Sequence, residues 1–156
     1  MSVFTMAQIE NITGINAHSL RIWERRYSFL KPFRTDTNIR YYNDEHLKSL
    51  LNISILTRNG MRISAIDKMS TENINEAVID IVEKQSPNSN EDHIAALVLS
   101  MLEFNENAFE KIFQRQVISD GFLKTMTETV YPFMPELEVS GQQIEHFQLK
   151  NILYLI

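Results

Sequence analysis

The sequence predicts a mainly α fold in which a helix-turn-helix unit and a small β-hairpin are followed by a helical bundle. Three observations support this prediction. A glycine-containing turn separates two short helical segments, polar turn residues lie between two short extended segments, and apolar residues recur at helical spacing beyond Ser70. We expect a first domain at 1–70, a connecting helix and linker at 71–90, and the bundle at 91–156.

Composition limits the kinds of site to consider. The 156 residues, 44% of them hydrophobic, are enough for one or two small domains with a packed core. The chain contains no Cys, which excludes disulfides, thiolate metal ligands and a thiol nucleophile. No apolar run approaches the ~20 residues of a transmembrane helix, and the N-terminus lacks the segments of a signal peptide. We therefore expect no membrane partner and a cytoplasmic location.

Charge is distributed unevenly along the chain. Residues 1–70 carry ten Lys and Arg against six Asp and Glu, whereas residues 71–156 carry five against fourteen. This asymmetry is expected when one domain binds phosphates and the other does not. The formal net charge of −5 therefore does not argue against nucleic-acid binding.

The first helix is predicted by its N-terminus. Thr5 and Gln8 have the spacing of a capping box, and Phe4 and Ile9 are placed as the accompanying hydrophobic pair. The helix should therefore begin at Met6 and end about six residues later.

The second helix should run from about 17 to 26. Gly14 can adopt a positive φ in the preceding turn, and Asn16 is suited to cap the helix N-terminus. Arg21 and Arg25 lie four residues apart and share one face, on which they can bind an anion. The two helices form a helix-turn-helix with a basic second helix.

Residues 34–42 should form a short hairpin with its tip at 36–38. The tip contains Asn38, and Asn is the residue that tolerates a positive φ best after Gly. Three side chains on or beside the hairpin carry hydrogen-bond donors: Arg34, Arg40 and Tyr41.

A longer helix should follow the hairpin. Asn43 is its predicted N-cap, and Gly60 is the predicted C-terminal stop. Leu47, Leu50, Leu51 and Ile55 share one face and should be core. A short closing helix should contain Ile63, Ile66 and Met69.

The order of these segments resembles the DNA-binding domain of MerR-family transcription regulators. Four motifs carry the resemblance: Leu-Arg-Ile-Trp-Glu-Arg at 20–25, Leu-Lys-Pro-Phe-Arg at 30–34, Arg-Tyr-Tyr at 40–42 and Leu-Thr-Arg-Asn-Gly at 56–60. The resemblance covers about 65 residues from Thr5 to Met69. It implies a winged helix-turn-helix that places the second helix in the major groove of double-stranded DNA and the hairpin wing on the backbone.

The resemblance also implies which residues bind DNA. Asn16, Ala17, His18 and Ser19 would face base edges, while Arg21, Arg25, Arg34, Arg40 and Tyr41 would contact the backbone. Trp23, on the same helix, is also counted among the DNA-binding residues. Each assignment has an alternative. The helix arginines can be solvated charges, the hairpin arginines can protect an edge strand, and Trp23 can be a core residue. His18 can also be an uncommitted surface histidine or a metal ligand.

The sequence Trp-Glu-Arg-Arg-Tyr at 23–27, in place of the commoner Tyr-Tyr-Glu, indicates a branch of the family. It resembles the branch of the light-responsive, cobalamin-linked repressors and their curli-regulator relatives.

Amphipathic helices dominate the second half. Residues 72–84 have strong helical periodicity, but ~13 residues span only ~20 Å, too short for the long antiparallel dimerisation helix of many MerR-like regulators. The four-helix-like bundle that follows has apolar faces at 94–102, 109–117, 122–130 and 144–156. The last helix ends without a cap, and we expect a truncated chain or a further domain.

A fainter resemblance concerns Glu145 and His146. These residues, with Val130-Tyr131-Pro132-Phe133 upstream, are similar to the helical cap of a cobalamin-binding domain. In that cap a Trp shields the cofactor, whereas no Trp follows Trp23 here and the intervening loop is shorter. We expect no cofactor in this chain, and cobalamin only with a further downstream domain.

Two function classes remain. The chain has no phosphate-binding Gly loop, nucleophile elbow or histidine cluster, so we expect no enzyme, no catalytic residues and no metal. The first class is a DNA-binding transcription regulator, with double-stranded DNA, RNA polymerase and a second copy of the chain as partners. The alternative is a cofactor-sensing or protein-interaction module that acts through the bundle.

Overall fold

The computed structural model describes residues 2–84, 90–103 and 105–132. The predicted helix at 144–156 and the pair Glu145 and His146 lie outside the described residues. The described part is mainly helical with one small sheet, which confirms the predicted fold class. Its elements are β1 (Phe4–Thr5), α1 (Met6–Thr13), α2 (Ala17–Arg26), β2 (Phe33–Arg34), β3 (Arg40–Tyr42), α3 (Asp44–Arg58), α4 (Ile63–Ile66), α5 (Thr71–Lys84), α6 (Asn90–Leu102), α7 (Glu106–Asp120), α8 (Phe122–Lys124) and a π-helical segment (Thr125–Val130).

The helix-turn-helix has the capping chemistry that the sequence predicts. The Gln8 N–H donates to Thr5 Oγ1 (3.3 Å), and the Thr5 N–H donates to Gln8 Oε1 (2.8 Å), which completes the capping box of α1. Gly14 ends α1 with φ 72°, and Asn16 caps α2. These local contacts set the sharp turn between the two helices.

The wing is a hairpin of β2 and β3 with Phe33 paired to Tyr41 and Arg34 to Arg40. Asn38 at its tip has φ 65°, a left-handed conformation that Asn tolerates better than most other residues. Strand β1 adds to the other edge of β3 and gives the sheet order β1-β3-β2. The sequence did not predict β1, because two residues are too few to show alternation.

Helix α3 lies at the centre of the molecule. Its predicted face is buried, and so are Ile53 and Leu56 on its other sides. These residues are buried because α5 and α6 also pack against α3. The described part of the chain therefore forms one continuous core from β1 to the π-helical segment, with α6 in contact with both α1 and α3.

One predicted apolar face is wrong in part. The apolar face predicted at 122–130 includes Phe122 and Leu123, but these residues are 42% and 76% exposed, whereas Met126 and Val130 are buried. The segment after α8 is π-helical, so its residues do not keep the 3.6-residue phase of an α-helix. Thr125 and Thr129 take the inward positions beside Met126 and Val130.

No helix within the described ranges is long and apolar enough to span a membrane.

Candidate nucleic-acid interface

Helix α2 divides into an inner and an outer face. Leu20 is buried, and Trp23 is half-buried with its ring edge against Phe29 at 6.1 Å between centroids. Arg21 and Arg25 are exposed, and neither forms a salt bridge to any residue in the described part of the chain. The outer face of α2 therefore carries cationic groups that are open to an anion, while Trp23 serves mainly to pack the helix.

The N-terminal turn of α2 contains the four residues predicted to meet base edges. Asn16 Oδ1 accepts from the Ser19 N–H at 2.8 Å, so the amide oxygen is the helix cap and the amide nitrogen is left as a donor. His18 is exposed, while Ala17 and Ser19 are partly buried. Among the described residues no group of histidines and carboxylates could hold a metal ion.

Glu24 joins the wing to α2. Its Oε1 accepts from Arg34 Nη2 and its Oε2 from Arg40 Nε, both at 2.7 Å. Because Arg34 and Arg40 lie opposite each other on β2 and β3, one carboxylate holds both strands of the wing. Arg34 Nη1 also donates to Asn38 Oδ1 at 2.8 Å, which extends this contact to the wing tip. We call Glu24, Arg34 and Arg40 the wing clamp.

The wing clamp keeps Glu24 ionised. Burial raises the pKa of the carboxyl, but the hydrogen bonds and positive charges of Arg40 and Arg34 outweigh this effect and lower the pKa below its usual value. Glu24 is therefore an anion at neutral pH and pairs with both guanidinium groups. Glu24 belongs to the Leu-Arg-Ile-Trp-Glu-Arg motif at 20–25, but nothing in the sequence alone assigned its partners.

The clamp changes the chemistry available at Arg34 and Arg40. Both were predicted as free donors to a backbone, yet each already donates to Glu24. Their side chains remain 37% and 30% exposed, and each guanidinium keeps further N–H groups for a second acceptor. The structure thus places both arginines on the wing as predicted, with part of their hydrogen-bonding capacity used internally.

An aromatic stack covers the other end of the wing. Tyr41 stacks on Phe33 at 5.4 Å between centroids, and the Phe33 side chain is 45% exposed. His46 lies edge-on to Phe33, and its Nε2 is 3.0 Å from the Lys31 carbonyl oxygen. Since His46 Nδ1 accepts from the Asn43 N–H, the Nε2 carries the proton and donates to Lys31. His46 therefore fixes the chain segment that enters the wing.

The outer surface of α2 and the wing form one cationic surface with several hydrogen-bond donors. Two exposed arginines on the helix and two clamped arginines on the hairpin suit a polyanion with regularly spaced phosphates. The remaining donors and acceptors at the start of α2 are small enough to approach base edges.

Comparison with known proteins agrees with this geometry. Residues 4–73 match the family described as "MerR HTH family regulatory protein". The HTH-type transcriptional regulator MlrA of Escherichia coli (strain K12) is 35% identical over 75 residues, which cover 47% of this chain and 31% of MlrA. The HTH-type transcriptional repressors CarA and CarH of Myxococcus xanthus are each 36% identical, over 67 and 58 residues respectively.

The similarity to these relatives is partial. The CarA match covers 41% of this chain and 23% of CarA, and the CarH match covers 37% and 19%. The matched segment thus spans less than a third of the length of each of these three relatives. The relatives support the branch that residues 23–27 indicate.

Proposed function

We propose that this protein regulates transcription by sequence-specific binding to double-stranded DNA, since residues 4–73 match the MerR HTH regulatory family. The observation that carries the proposal is the wing clamp. Glu24 holds the wing against α2, so that two DNA-binding elements are presented as one unit. Preorganisation of this kind lowers the ordering cost of binding.

In the proposed complex α2 enters the major groove. The base edges are contacted by the first turn of α2, which contains Asn16, Ala17, His18 and Ser19. Hydrogen bonds to the bases come from the Asn16 amide nitrogen and the His18 ring. Arg21 and Arg25 contact phosphates beside the groove. Arg34, Arg40 and Tyr41 contact phosphates from the wing through donors that the clamp leaves available.

Selection from random duplex DNA, followed by binding measurements on the selected sequence, tests this proposal. Arg21→Ala should weaken binding to all duplexes and reduce the log–log salt slope by about 0.9, because one phosphate contact is lost. Lys124→Ala is the matched control, since Lys124 is an exposed cation on α8, outside the proposed interface. If the two variants bound equally well, the proposed docking would be wrong.

Loss of a base contact should affect binding differently from loss of a phosphate contact. Asn16→Ala or His18→Ala should change preference at a few base pairs by about 1–3 kcal/mol each and leave non-specific affinity nearly intact. A uniform loss on all duplexes would instead identify these residues as backbone contacts.

The proposal includes partners and location. A regulator of this kind would act in the cytoplasm without enzymatic activity, and it would contact RNA polymerase or a second copy of the chain on the DNA. Sedimentation of the protein with and without its selected duplex measures how many copies bind. A single copy per duplex would exclude the dimer.

We also propose that this chain does not retain cobalamin. The proposal rests on the sequence around Glu145 and His146, which lacks the upstream Trp of the cap that it resembles. After mixing with adenosylcobalamin in the dark and desalting, the protein should show no corrin absorbance. Retained absorbance would contradict the proposal and favour the cofactor-sensing alternative.

A further inference from the structure

A cleft of about 510 Å³ lies between α5, α6 and α7. Its apolar wall includes Val78 and Val82 from α5, Leu99 from α6 and Ile112 from α7. The volume falls within the usual range of small-molecule sites, about 300–1,000 Å³. The cleft lies on the C-terminal half of the described chain, and none of its lining residues belongs to α2 or the wing.

Two cations stand at the edge of this cleft. Lys111 and Arg115 are both exposed, lie four residues apart on α7 and line the cleft together. Residues 71–156 contain only five Lys and Arg against fourteen acidic residues, so this pairing is unusual for its half of the chain. Among the described residues that line the cleft, Glu103 is the only acidic one, and these residues together carry a net positive charge.

The cations are held in different ways. Arg115 Nη1 donates to the Val82 carbonyl oxygen at 2.8 Å, which fixes the guanidinium against the end of α5. The other guanidinium N–H groups stay available to an acceptor. Neither Arg115 nor Lys111 forms a salt bridge with a carboxylate of the described residues.

We propose that this cleft binds a small amphipathic carboxylate, with the carboxylate at Lys111 and Arg115 and an alkyl or aryl body against the apolar wall. An apolar wall beside a fixed guanidinium matches the two ends of such a molecule. The cleft shares no lining residue with the proposed DNA interface, so ligand binding can be tested without DNA.

Decanoate is the test ligand and decanol its uncharged counterpart. Calorimetry with the full chain should show saturable decanoate binding, and decanol should bind roughly tenfold more weakly, because it lacks the charge-assisted hydrogen bonds. The double variant Lys111→Gln/Arg115→Gln should lose roughly the same factor. Lys124→Gln, a cation of the same half outside the cleft, is the matched control and should bind normally.

A second variant tests the position of the apolar body. Ala108 lines the cleft from α7, and Ala108→Phe should fill the cleft and abolish decanoate binding while circular dichroism shows retained helix. Equal binding of decanoate and decanol would overturn the proposal. Unchanged decanoate binding by the Lys111→Gln/Arg115→Gln variant or by Ala108→Phe would also overturn it. A self-associated protein that Ala108→Phe converts to monomers would also overturn it, because the cleft would then be an interface between copies.

Discussion

Glu24 holds the two elements of the proposed DNA-binding surface together. Its carboxylate is the shared acceptor of Arg34 and Arg40, and its side chain is only 16% exposed. Glu24→Gln should lower the free energy of unfolding by about 1–2 kcal/mol, since two charge-assisted hydrogen bonds are lost at a partly exposed site. Urea unfolding measures this loss.

The same substitution has an effect on DNA recognition. The wing would no longer be held to α2, while two guanidinium groups would be freed for phosphates. We expect binding to the selected duplex to weaken relative to random duplex, so that the specificity ratio falls. An unchanged ratio, together with an unchanged unfolding midpoint, would contradict the clamp.

The pH dependence of Glu24 follows from its lowered pKa. A carboxyl whose folded pKa lies below the unfolded value, about 4.3, stabilises the fold above that pH and loses the contribution as pH falls through the folded pKa. Glu24→Gln should therefore reduce the loss of stability in acid. Unfolding midpoints between neutral pH and pH 3 compare the two proteins.

His46 predicts a second pH effect in a higher range. Burial lowers the pKa of His46, although the Lys31 carbonyl and Glu45 oppose this shift. The neutral ring is therefore favoured in the fold, and it is also the form whose Nδ1 can accept from Asn43. The contribution of His46 to the free energy of unfolding is fully present above the unfolded-state pKa of histidine, about 6.5. This contribution is lost as the pH falls from there toward the pKa of His46 in the folded state.

The variant His46→Gln separates this effect from other titrations. Gln at the equivalent position of the first capping box, Gln8, accepts from the N-cap N–H in the same way. His46→Gln should therefore retain the cap of α3 and show a smaller loss of stability from pH 7 to pH 5. His18→Gln is the control, because His18 is exposed on α2, away from the cap of α3. Equal profiles for the His46 variant and the unmodified protein would contradict this assignment.

At the scale of the elements, Arg58 at the end of α3 contacts both α1 and α6. Its Nε donates to Asp92 Oδ1 at 2.6 Å, and its Nη1 donates to the Thr13 carbonyl oxygen at 3.1 Å. The Asp92 side chain is 2% exposed, and its other oxygen accepts from Asn59. Arg58 thus connects the end of α1, just before the Gly14 turn, with the first turn of α6.

Removal of the Asp92 carboxylate should be costly. Asp92→Ala leaves Arg58 partly buried without its counter-charge, which should lower the free energy of unfolding by about 3 kcal/mol. Glu91→Gln is the control, because Arg58 contacts only the backbone carbonyl of Glu91. A double-mutant cycle with Arg58→Met measures the coupling energy. Additive losses would show that the pair contributes no stability of its own.

The sequence predicts the helix caps and turns but not the ion pairs of Glu24 and Arg58. The capping box at Thr5, the turn at Gly14 and the cap at Asn16 follow from neighbours within four residues, so the helix-turn-helix could be predicted. Glu24 and Arg58 instead pair with residues 10 to 34 positions away. A sequence with 15 basic and 20 acidic side chains does not determine which of them meet.

The same limit applies to the core and the cleft. Periodicity predicted the helices that contain the cleft residues, but it cannot show that α5, α6 and α7 leave a space between them. Periodicity also predicted Phe122 as a core residue, and this prediction was wrong. The π-helical segment changes the helical phase, and the spacing of apolar residues does not reveal that change. Periodicity could not predict the shared core of α3 and α6 either, since the pairing of helices depends on tertiary contacts.

At the scale of the whole molecule, a chain of contacts connects the cleft with the proposed DNA-binding surface. Helix α6 contributes Leu99 to the cleft and Asp92 to the contact with Arg58, which in turn holds the end of α1. A ligand that changes the position of α6 would therefore act on the turn that orients α2. This coupling depends on both the proposed DNA binding and the proposed cleft ligand.

Thermodynamic linkage makes the coupling measurable from either side. If decanoate changes the dissociation constant for the selected duplex by some factor, the duplex must change the dissociation constant for decanoate by the same factor, typically about 5–150-fold in coupled systems. The ligand-blocking variant Ala108→Phe should abolish the effect of decanoate on DNA binding while DNA binding itself persists. Asp92→Asn should reduce the factor while both separate binding events remain measurable. Two binding events without mutual influence would contradict the connection through α6, yet leave the DNA interface and the cleft as separate sites.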